Sequence, residues 1–545
     1  MNDFNILVII PARGGSKGIP RKNIRPLNGK PLIYYSIKNA LALKATHVDC
    51  YVSSDDDEIL SISKKFGAKI HKRNPKIADD RTTLDPVIFE AFQEIKHLES
   101  RDYDLVITLQ PTSPLLRSKT IDKAIKLIDE RQLDTVISGT WDSHLSWIKK
   151  GNTFFPNYEK RVNRQELPEI YKETGGFVIT KTAFVTENSR FGKHIEIFPL
   201  GKREAIDIDD YEDWNLCEFH LKRKKIVFVV SGNSEIGMGH VYNTLGIANE
   251  ILNHKVVFLV DSSSQLALDK IGESNHEVHL QKDGQPMLEA IFELNPNVII
   301  NDRLDTGANE IVALKERGCI VINFEDLGEG AEKADLVINA MYPENKLVPG
   351  HYFGSKYFIL RDEFIYTPNI SIREKVQNVL ISFGGVDPND YTLRILELIK
   401  SKCDALGIKI TVITGMGYKN GHALKQRYKE IPIWTNVSSI SEHMASADLV
   451  FTSAGRTTFE VASIGVPAVV LCQNPRETTH FFASKKNGFY NLGLGYELDD
   501  QRILETFDEV LGHQTRIAMN QRMMASSLKK GKERVMKLIN ALING

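Results

Sequence analysis

Short apolar runs recur along the chain and alternate with helix-length segments of mixed polarity. The run from Ile6 to Ile10 has no polar residue, as is typical of a strand buried on both faces of a parallel sheet. Comparable runs predict strands at 48–53, 104–110, 135–138, 176–180, 226–231, 256–260, 298–300, 319–323, 379–382, 410–415, 449–453 and 466–471. Helix-sized intervals separate many of them, so the pattern predicts an α/β protein built from Rossmann-like units.

The length and one basic run indicate how these units are divided. A chain of 545 residues is too long for a single core. A predicted helix at 211–223 closes the first series of strands, and the basic run 222–225 precedes a new apolar strand. We therefore expect domains at 1–223 and 224–545. Two successive strand-and-helix series in the second domain predict lobes of about 224–367 and 368–545.

Composition excludes several classes of function. The formal net charge of -1 argues against a broad nucleic-acid or membrane-surface role, which needs an extended basic field. The 5 cysteines are scattered without the spacing of a zinc or disulfide framework. No apolar run is long enough to span a bilayer, and the first residues lack the basic segment of a signal peptide. We expect a cytoplasmic location without a membrane span.

A glycine-rich loop follows the first predicted strand. Glycines allow backbone N–H groups to approach a phosphate closely, and nearby cations offset its charge. The loop is not a Walker A motif, because Pro31 follows Gly29-Lys30 where Ser or Thr is required. A phosphate site and a basic surface turn are both compatible with this pattern. The loop contains Arg13, Gly14, Gly15, Ser16, Lys17, Gly18, Arg21, Lys22 and Asn23.

Acidic and amide residues near other strand ends add candidate chemistry. Asp207 and Asp209 would share one face of a predicted strand at 205–210, where a magnesium ion could offset their repulsion. The alternative is a solvated acidic strand end. The acidic turn 54–57 could touch a ribose or a metal, but a helix N-cap is the more frequent role of such a run. Gln110, which ends an apolar strand, could bind a base or sugar, or form a simple turn.

Over residues 4–220 the sequence resembles the acylneuraminate cytidylyltransferases, which couple CTP to sialic acids and their bacterial relatives. The most specific motifs are 10–24, 109–115 and 206–209, with weaker similarity at 52–55, 164–165 and 173–176. The resemblance implies roles for individual residues. It assigns CTP phosphate binding to Arg13, Gly14, Gly15, Ser16 and Lys22, nucleotide contact to Asn23, sugar-acid contact to Gln110, carboxylate or phosphate contact to Arg164, and magnesium to Asp207 and Asp209.

A second strand, glycine turn and predicted helix occur at the start of the second domain. His240 follows the turn 232–239 and lies at the predicted N-terminus of the helix 241–252. The helix dipole disfavours a charged imidazolium there, so a neutral His240 could accept a proton. A helix cap or a core histidine is the alternative reading of an isolated histidine.

Residues 226–500 resemble the UDP-sugar hydrolases of pseudaminic acid synthesis and, more weakly, the peptidoglycan glycosyltransferase of the same glycosyltransferase B architecture. The motifs are 237–240, 357–364, 382–387 and 453–460. This resemblance implies that Glu460 binds the uridine ribose and that His240 activates water. It further implies nucleotide or diphosphate contacts for Gly239, Gly384, Gly385 and Gly455.

Together the resemblances imply a bifunctional enzyme of nonulosonic acid biosynthesis. One domain would transfer CMP from CTP to a sialic-acid-like sugar acid with magnesium, and the other would hydrolyse a UDP-sugar. The second domain could instead be a glycosyltransferase or a non-catalytic nucleotide-sugar-binding module. The first resemblance also implies a homodimer or higher oligomer.

Overall fold

The computed structural model describes residues 2–16, 18–78, 81–233, 236–343, 348–437 and 439–544. The chain forms two compact units, Met1–Arg223 and Lys224–Gly545. Each unit has its own sheets and cores. None of the helices within the described ranges is both long and apolar enough to cross a bilayer.

The first unit is a layered α/β domain. Its strands are β1 (Asn2–Pro11), β2 (Pro26–Leu27), β3 (Lys30–Pro31), β4 (Ala45–Ser54), β5 (Lys69–Lys72), β6 (Leu105–Leu109), β7 (Thr135–Trp141), β8 (Trp147–Lys150), β9 (Thr153–Pro156), β10 (Tyr171–Lys181) and β11 (Ile195–Pro199). Its helices are α1 (Ile33–Leu41), α2 (Asp57–Lys65), α3 (Leu84–Glu99), α4 (Ser118–Glu130) and α5 (Tyr211–Lys222).

The main sheet of this unit has the order β11-β7-β10-β6-β1-β4-β5. Strand β1 is an interior strand that pairs in parallel with β4 and β6, and its apolar residues Ile6–Ile10 are buried on both faces. This confirms the buried parallel strand predicted from its composition. Strand β10 instead runs antiparallel to both of its neighbours. The carboxyl ends of β1, β4 and β6 therefore meet at one edge, where ligands bind in open α/β sheets.

Two local predictions for the first unit are wrong. The helical periodicity of residues 30–41 predicts a helix from Lys30, but α1 begins only at Ile33, because Pro31 pairs with Pro26 in the short β2–β3 ribbon. The acidic segment 206–209 is not a strand. The backbone N–H of Ile208 donates instead to the carbonyl of Thr112 at 2.8 Å, which ties this segment to the loop after β6.

The second unit contains two parallel sheets. Its strands are β12 (Lys225–Val230), β13 (Lys255–Val260), β14 (Val278–Leu280), β15 (Val298–Asp302), β16 (Ile320–Phe324), β17 (Leu336–Asn339), β18 (His351–Phe353), β19 (Asn378–Ile381), β20 (Lys409–Thr414), β21 (Ile433–Thr435), β22 (Leu449–Thr452), β23 (Ala468–Cys472) and β24 (Phe489–Leu494). Its helices are α6 (Gly239–Ala248), α7 (Gln265–Glu273), α8 (Met287–Glu293), α9 (Ala308–Glu316), α10 (Asp362–Tyr366), α11 (Tyr391–Leu406), α12 (Gly421–Arg427), α13 (Ile440–Ser446), α14 (Thr457–Ile464), α15 (Asp500–Leu511), α16 (His513–Met524) and α17 (Gly531–Asn544).

These sheets define two Rossmann-like lobes, as the sequence pattern predicts. The first lobe has the order β14-β13-β12-β15-β16-β17-β18, and the second has the order β21-β20-β19-β22-β23-β24. All strand pairs in both sheets are parallel. Such an arrangement is the glycosyltransferase B architecture.

The last helix departs from the predicted division of the lobes. Although α17 follows the second lobe in sequence, Val535, Ile539 and Ile543 lie in the core of the first lobe with Ile226 and Phe228. This amphipathic helix buries its apolar face in the same core cluster as residues of β12. The chain thus crosses back to the first lobe after residue 530.

Candidate active sites

The glycine-rich loop of the first unit follows β1 and is held against the end of β4. The backbone N–H of Gly14 donates to Oδ1 of Asp55 at 3.0 Å. A Cβ atom on Gly14 would lie 2.9 Å from the Asp56 carboxylate, so a larger residue would have to displace that side chain. Asn23 is buried and donates its side-chain amide to the carbonyl of Arg13 at 2.9 Å. Asp56 itself caps α2, the role that such acidic turns most often have.

The middle of the loop is more open than its ends. At Gly15 no atom of the described chain lies within 4 Å of the place a Cβ atom would take. Gly15 is exposed and Ser16 half-buried. Lys17, one of the predicted loop cations, lies outside the described residues. A loop with fixed ends and an accessible glycine backbone can present N–H groups to an anion.

The structure brings this loop together with the acidic segment. A Cβ atom on Gly18 would lie 2.5 Å from the carbonyl oxygen of Asp209. Nζ of Lys22 donates to the carbonyl of Ile208 at 2.6 Å and lies 4.0 Å from Oδ1 of Asp209. The predicted phosphate loop and the predicted metal ligands therefore form one site.

Asp207 lies deeper in this site than Asp209. Its Oδ1 atom is buried and has no hydrogen-bond partner among the described residues. A Cβ atom on Gly175 would lie 2.7 Å from Oδ2 of Asp207, so the glycine makes room for the carboxylate. Burial raises the pKa of Asp207, and the neighbouring Asp209 charge adds to this rise.

A divalent cation fits these two carboxylates. It would satisfy the buried Oδ1 atom of Asp207, while the Asp209 side chain is 84% exposed and accessible to a second ligand. No cluster of three or more His, Cys, Asp or Glu ligands occurs within the described part of the chain. Magnesium suits such a site because it commonly takes one or two carboxylates and completes its shell with substrate phosphates and water.

Gln110 and Arg164 occupy different parts of the unit. Gln110 directly follows β6 at the same sheet edge as the loop, and its carbonyl accepts a hydrogen bond from Ser36 at 3.1 Å. Arg164 is exposed on a short turn, with its guanidinium carbon 4.4 Å from the centroid of the Trp141 ring. The structure therefore places Gln110 at the strand edge and Arg164 on the extension between β7 and β10.

Sequence reasoning missed Arg73 at this edge. Its guanidinium is buried after β5 and donates to the carbonyl of Ser53 at 2.8 Å. Burial lowers the pKa of Arg73, and the charges of Asp55 and Arg13 act on it in opposite directions. Its position just beyond a strand that pairs with β4 is the signal that could have identified it.

The second unit has a cavity of about 540 Å³ between its two lobes. Glycine-rich turns after β12, β19 and β22 contribute to its walls. The cavity brings together the candidate residues of the second unit. They are Gly239, His240, Gly384, Gly385, Gly455 and Glu460.

His240 lies in the first turn of α6, as predicted. Its Nδ1 atom is 2.5 Å from Oδ1 of Asp302, which is fully buried at the end of β15. The side chain of Asn243 donates to the other carboxylate oxygen at 2.6 Å. A carboxylate only accepts, so Nδ1 of His240 carries the proton and Nε2 is the basic atom of the neutral ring.

Glu460 has a partner within the cavity wall. Nε of Arg361 donates to Oε1 of Glu460 at 2.8 Å, and Arg361 also pairs with Glu363 at 3.0 Å. Burial lowers the pKa of Arg361, but these carboxylates outweigh it and raise the pKa overall. One oxygen of Glu460 is therefore committed to a salt bridge.

Other arginines join the two lobes beside the cavity. Arg456, at the start of α14, donates to the carbonyl of Ile359 at 2.7 Å. Arg476, which follows β23, donates to the hydroxyl of Tyr342 at 2.7 Å and to the carbonyl of Glu325 at 3.2 Å. Both arginines line the cavity, whose walls also contain the carboxylates Glu325, Glu460 and Glu477.

A half-buried carboxylate supports the turn that contains Gly455. Oε2 of Glu477 accepts backbone N–H groups from Gln473 at 2.8 Å and from Ala454 at 3.2 Å. Burial raises the pKa of Glu477 to about 7. The side chain of Gln473 donates to Asp387 at 2.8 Å, which links the turns after β19 and β23.

Sequence reasoning missed much of this cavity. The residues that it did not single out lie mostly at or after parallel strands, and two of them, Arg361 and Arg456, lie inside the motifs 357–364 and 453–460. The missed residues are Asp302, Glu325, Arg361, Arg456, Gln473, Arg476, Glu477 and His480.

Comparisons with known proteins identify relatives of part of the chain and of most of it. Residues 7–268 match the family described as cytidylyltransferase. The pseudaminic acid cytidylyltransferase of Campylobacter jejuni serotype O:2 is 34% identical over 224 residues, which are 40% of this chain and 96% of that protein. An uncharacterized protein of Methanocaldococcus jannaschii is 32% identical over 272 residues, 46% of this chain, and the match spans only 56% of that protein.

One relative is similar along nearly the whole chain. This Helicobacter pylori protein is called pseudaminic acid cytidylyltransferase and UDP-2,4-diacetamido-2,4,6-trideoxy-beta-L-altropyranose hydrolase. It is 23% identical over 527 residues, which are 92% of this chain and 94% of that protein. The C. jejuni relative is both closer in sequence and matched over 96% of its length. Through its first unit, the chain therefore belongs to the cytidylyltransferase family.

Proposed function

We propose that the chain is a bifunctional enzyme of nonulosonic acid biosynthesis. Its first unit transfers CMP from CTP to a sugar acid of the pseudaminic or neuraminic type and releases pyrophosphate. Its second unit hydrolyses a UDP-sugar precursor. The observation that carries the first activity is the meeting of Gly18 and Lys22 with Asp209 in one site.

The geometry of the first unit suits phosphoryl transfer. The open backbone of Gly15 and the Lys22 ammonium bind the triphosphate, and Gln110 contacts the sugar acid from the end of β6. The anomeric hydroxyl oxygen attacks the α-phosphorus, the bond to pyrophosphate breaks, and the hydroxyl proton passes to solvent. A magnesium ion bound by Asp207 and Asp209 would supply neutralisation of phosphate charge. Catalysis in such a site comes mainly from positioning and electrostatic stabilisation.

Asp209→Asn tests this assignment. We expect the variant to lose at least 100-fold in magnesium-dependent pyrophosphate release from CTP and a panel of nonulosonic acids. Asp102→Asn is a matched control, because the Asp102 side chain is 90% exposed and its ion pair is with Lys96. Near-normal turnover of Asp209→Asn would contradict the metal assignment, and no turnover of the unsubstituted chain with any acid would contradict the proposed activity.

In the second unit His240 is the proposed base. Its Nε2 atom takes a proton from water as the water oxygen bonds to the anomeric carbon. The bond from that carbon to the diphosphate oxygen breaks, and UDP leaves with the electron pair. The cations beside the cavity stabilise the leaving diphosphate. Asp302 holds the reactive tautomer of His240.

UDP release without an added acceptor separates the possible activities of this unit. We expect the full chain to release UDP from UDP-2,4-diacetamido-2,4,6-trideoxy-altropyranose in water alone. Strict dependence on a sugar acceptor would identify a glycosyltransferase instead. Binding of the UDP-sugar without turnover, unchanged by His240→Ala, would identify a non-catalytic module.

We also propose that the first unit self-associates through the β8–β9 ribbon. Both strands are exposed along their length, and Trp147 and Phe154 are 55% and 61% exposed. A two-stranded ribbon alone is marginally stable in water, so these apolar side chains need a partner. Light scattering should find a homodimer or larger oligomer that Phe154→Glu dissociates, whereas Leu252→Glu, at an apolar residue 81% exposed in the second unit, should not.

A further inference from the structure

His480 lies in the cavity of the second unit together with His240, but it comes from the other lobe. It follows the short turn Glu477–Thr479 in the loop after β23. Its Nδ1 atom is 2.9 Å from the carbonyl oxygen of Ala454. Because a carbonyl oxygen only accepts, Nδ1 of His480 carries the proton, and Nε2 has the free lone pair of the neutral ring.

The surroundings of His480 favour this neutral, fixed ring. Burial lowers the pKa of His480, and the charges of Arg476 and His240 lower it further, while the bond to Ala454 opposes them. Both imidazoles line the same cavity of about 540 Å³. The Tyr342 and His480 rings pack edge to face with 5.4 Å between their centroids.

The cavity therefore contains two imidazoles whose Nδ1 atoms are both occupied. His240 is anchored by Asp302 in the first lobe, and His480 by Ala454 in the second. Within the described residues neither Nε2 atom takes part in a hydrogen bond, so each can act as an acceptor. Such a pair matches the two O–H groups of a water molecule, since each can donate to a different Nε2 atom.

We propose that His480 is a positioning residue that selects water as the nucleophile of the second unit. This inference rests on the proposed hydrolysis. Water donates one O–H to His240 and the other to His480, and its oxygen lone pair then points to the anomeric carbon. The proton on the first O–H moves to Nε2 of His240 as the carbon–oxygen bond to UDP breaks.

An alcohol is a poorer nucleophile in this arrangement. A sugar hydroxyl or methanol has one O–H group, so it can satisfy only one of the two Nε2 acceptors. Leaving one of these acceptors without a donor costs free energy, so transfer of the sugar to an alcohol is disfavoured relative to hydrolysis. His480 would then be the residue that makes this two-lobed fold a hydrolase and not a transferase.

Partitioning between water and methanol tests the proposal in the full-length protein. We use UDP-2,4-diacetamido-2,4,6-trideoxy-altropyranose in buffer with added methanol, and we measure free sugar against methyl glycoside. His480→Phe should lower kcat for hydrolysis about 10- to 100-fold with KM nearly unchanged, and should raise the glycoside fraction about 10-fold. His480→Gln, which keeps an acceptor on a side chain of similar reach, should restore much of both values.

His443→Phe is the matched control, because His443 lies on α13 beside Trp434 and outside the cavity. UDP binding by calorimetry checks that each variant retains its folded cavity. Unchanged kcat and product ratio in His480→Phe, with the unsubstituted chain active, would overturn the role of His480 alone. No acceptor-free UDP release by an unsubstituted chain that still binds UDP would overturn both this role and the proposed hydrolysis.

Discussion

Nδ1 of His240 lies 2.5 Å from Oδ1 of Asp302, and the second oxygen of this carboxylate accepts from Asn243 at 2.6 Å. Both oxygens of a buried aspartate are thus engaged, which fixes the orientation of the carboxylate. The imidazole can rotate or change tautomer only by breaking a charge-assisted hydrogen bond. The basic Nε2 atom of His240 is therefore set in place before substrate arrives.

The first prediction concerns this pair. In Asp302→Asn the new side chain can donate an N–H group to Nδ1, which favours the opposite tautomer and removes the base at Nε2. We expect kcat for UDP release to fall at least 100-fold while the Kd for UDP changes less than threefold. Asp269→Asn, on the exposed side of α7, should have no effect. A kcat within twofold of the unsubstituted value would show that Asp302 does not orient the base.

The second prediction concerns the space beside Asp207. Gly175→Ala would place a Cβ atom 2.7 Å from Oδ2 of Asp207, so the carboxylate must move. We expect pyrophosphate release to fall at least 10-fold and the magnesium concentration for half-maximal activity to rise. Gly201→Ala is the control, since no described atom lies within 4 Å of its Cβ position. Equal activity and magnesium dependence in the two variants would contradict this role of Gly175.

The third prediction concerns the stability of the first unit in acid. Asp49 is 5% exposed and accepts hydrogen bonds from Lys69 at 2.8 Å, Tyr103 at 2.7 Å and His47 at 2.9 Å. Burial alone would raise the pKa of Asp49, but these bonds outweigh it and hold the pKa at about 2 instead of 3.8. Ionised Asp49 therefore stabilises the folded state by about 2 kcal/mol. This contribution is complete above pH 4 and is lost as the pH falls from 4 to 2.

Asp49→Asn should therefore lower the stability of the first unit at pH 7 and flatten its pH dependence between pH 4 and 2. Urea titration with hydrogen exchange of β4 peptides as the readout measures this unit separately. Asp102→Asn should behave as the unsubstituted chain does. A parallel loss of stability in acid for Asp49→Asn and the unsubstituted protein would exclude Asp49 as the cause.

The fourth prediction concerns Glu477, whose pKa is shifted in the opposite direction to that of Asp49. Burial raises the pKa of Glu477 to about 7 from 4.5, so the folded state binds the extra proton between these values. The contribution of Glu477 to the free energy of unfolding therefore decreases as the pH rises from 4.5 to 7 and is lowest above pH 7. Glu477→Gln removes the charge and keeps an oxygen that can accept the N–H groups of Gln473 and Ala454. The melting temperature of Glu477→Gln minus that of the unsubstituted protein should therefore be larger at pH 8 than at pH 5.

Glu497→Gln provides the comparison, because Glu497 is exposed in the same lobe. Differential scanning calorimetry of the second unit within the full chain gives both values. A pH-independent difference between Glu477→Gln and the unsubstituted protein would show that Glu477 does not titrate in this range.

Strands were predictable from the sequence because their signal is local. The absence of polar residues from Ile6 to Ile10 predicts burial, and β1 is indeed a buried interior strand with a neighbour on each side. Strand direction is not local, and the antiparallel course of β10 depends on a pairing with β6 across many residues. The same holds for α17, whose amphipathic pattern predicts a helix but not the lobe that receives it.

The candidate sites divide in the same way. His240 could be selected because a glycine turn precedes it and a helix follows. Asp302 gave no comparable signal, since a single carboxylate after an apolar run acquires its role only when β15 pairs beside β12. His480 and Arg476 lie in a polar loop where both also contact Tyr342 of the opposite lobe, and no spacing in the sequence encodes those contacts.

The return of α17 to the first lobe also determines when that lobe can finish folding during synthesis. Strand β12 leaves the ribosome about 300 residues before Val535 and Ile543, with which its residues share a core. The first lobe cannot complete its hydrophobic core during synthesis, because the covering helix has not yet been translated. Its apolar surface remains exposed while the whole second lobe is produced, a period in which aggregation competes with folding. The first unit has no such dependence on α17, because its core clusters contain only residues from before the boundary at Arg223.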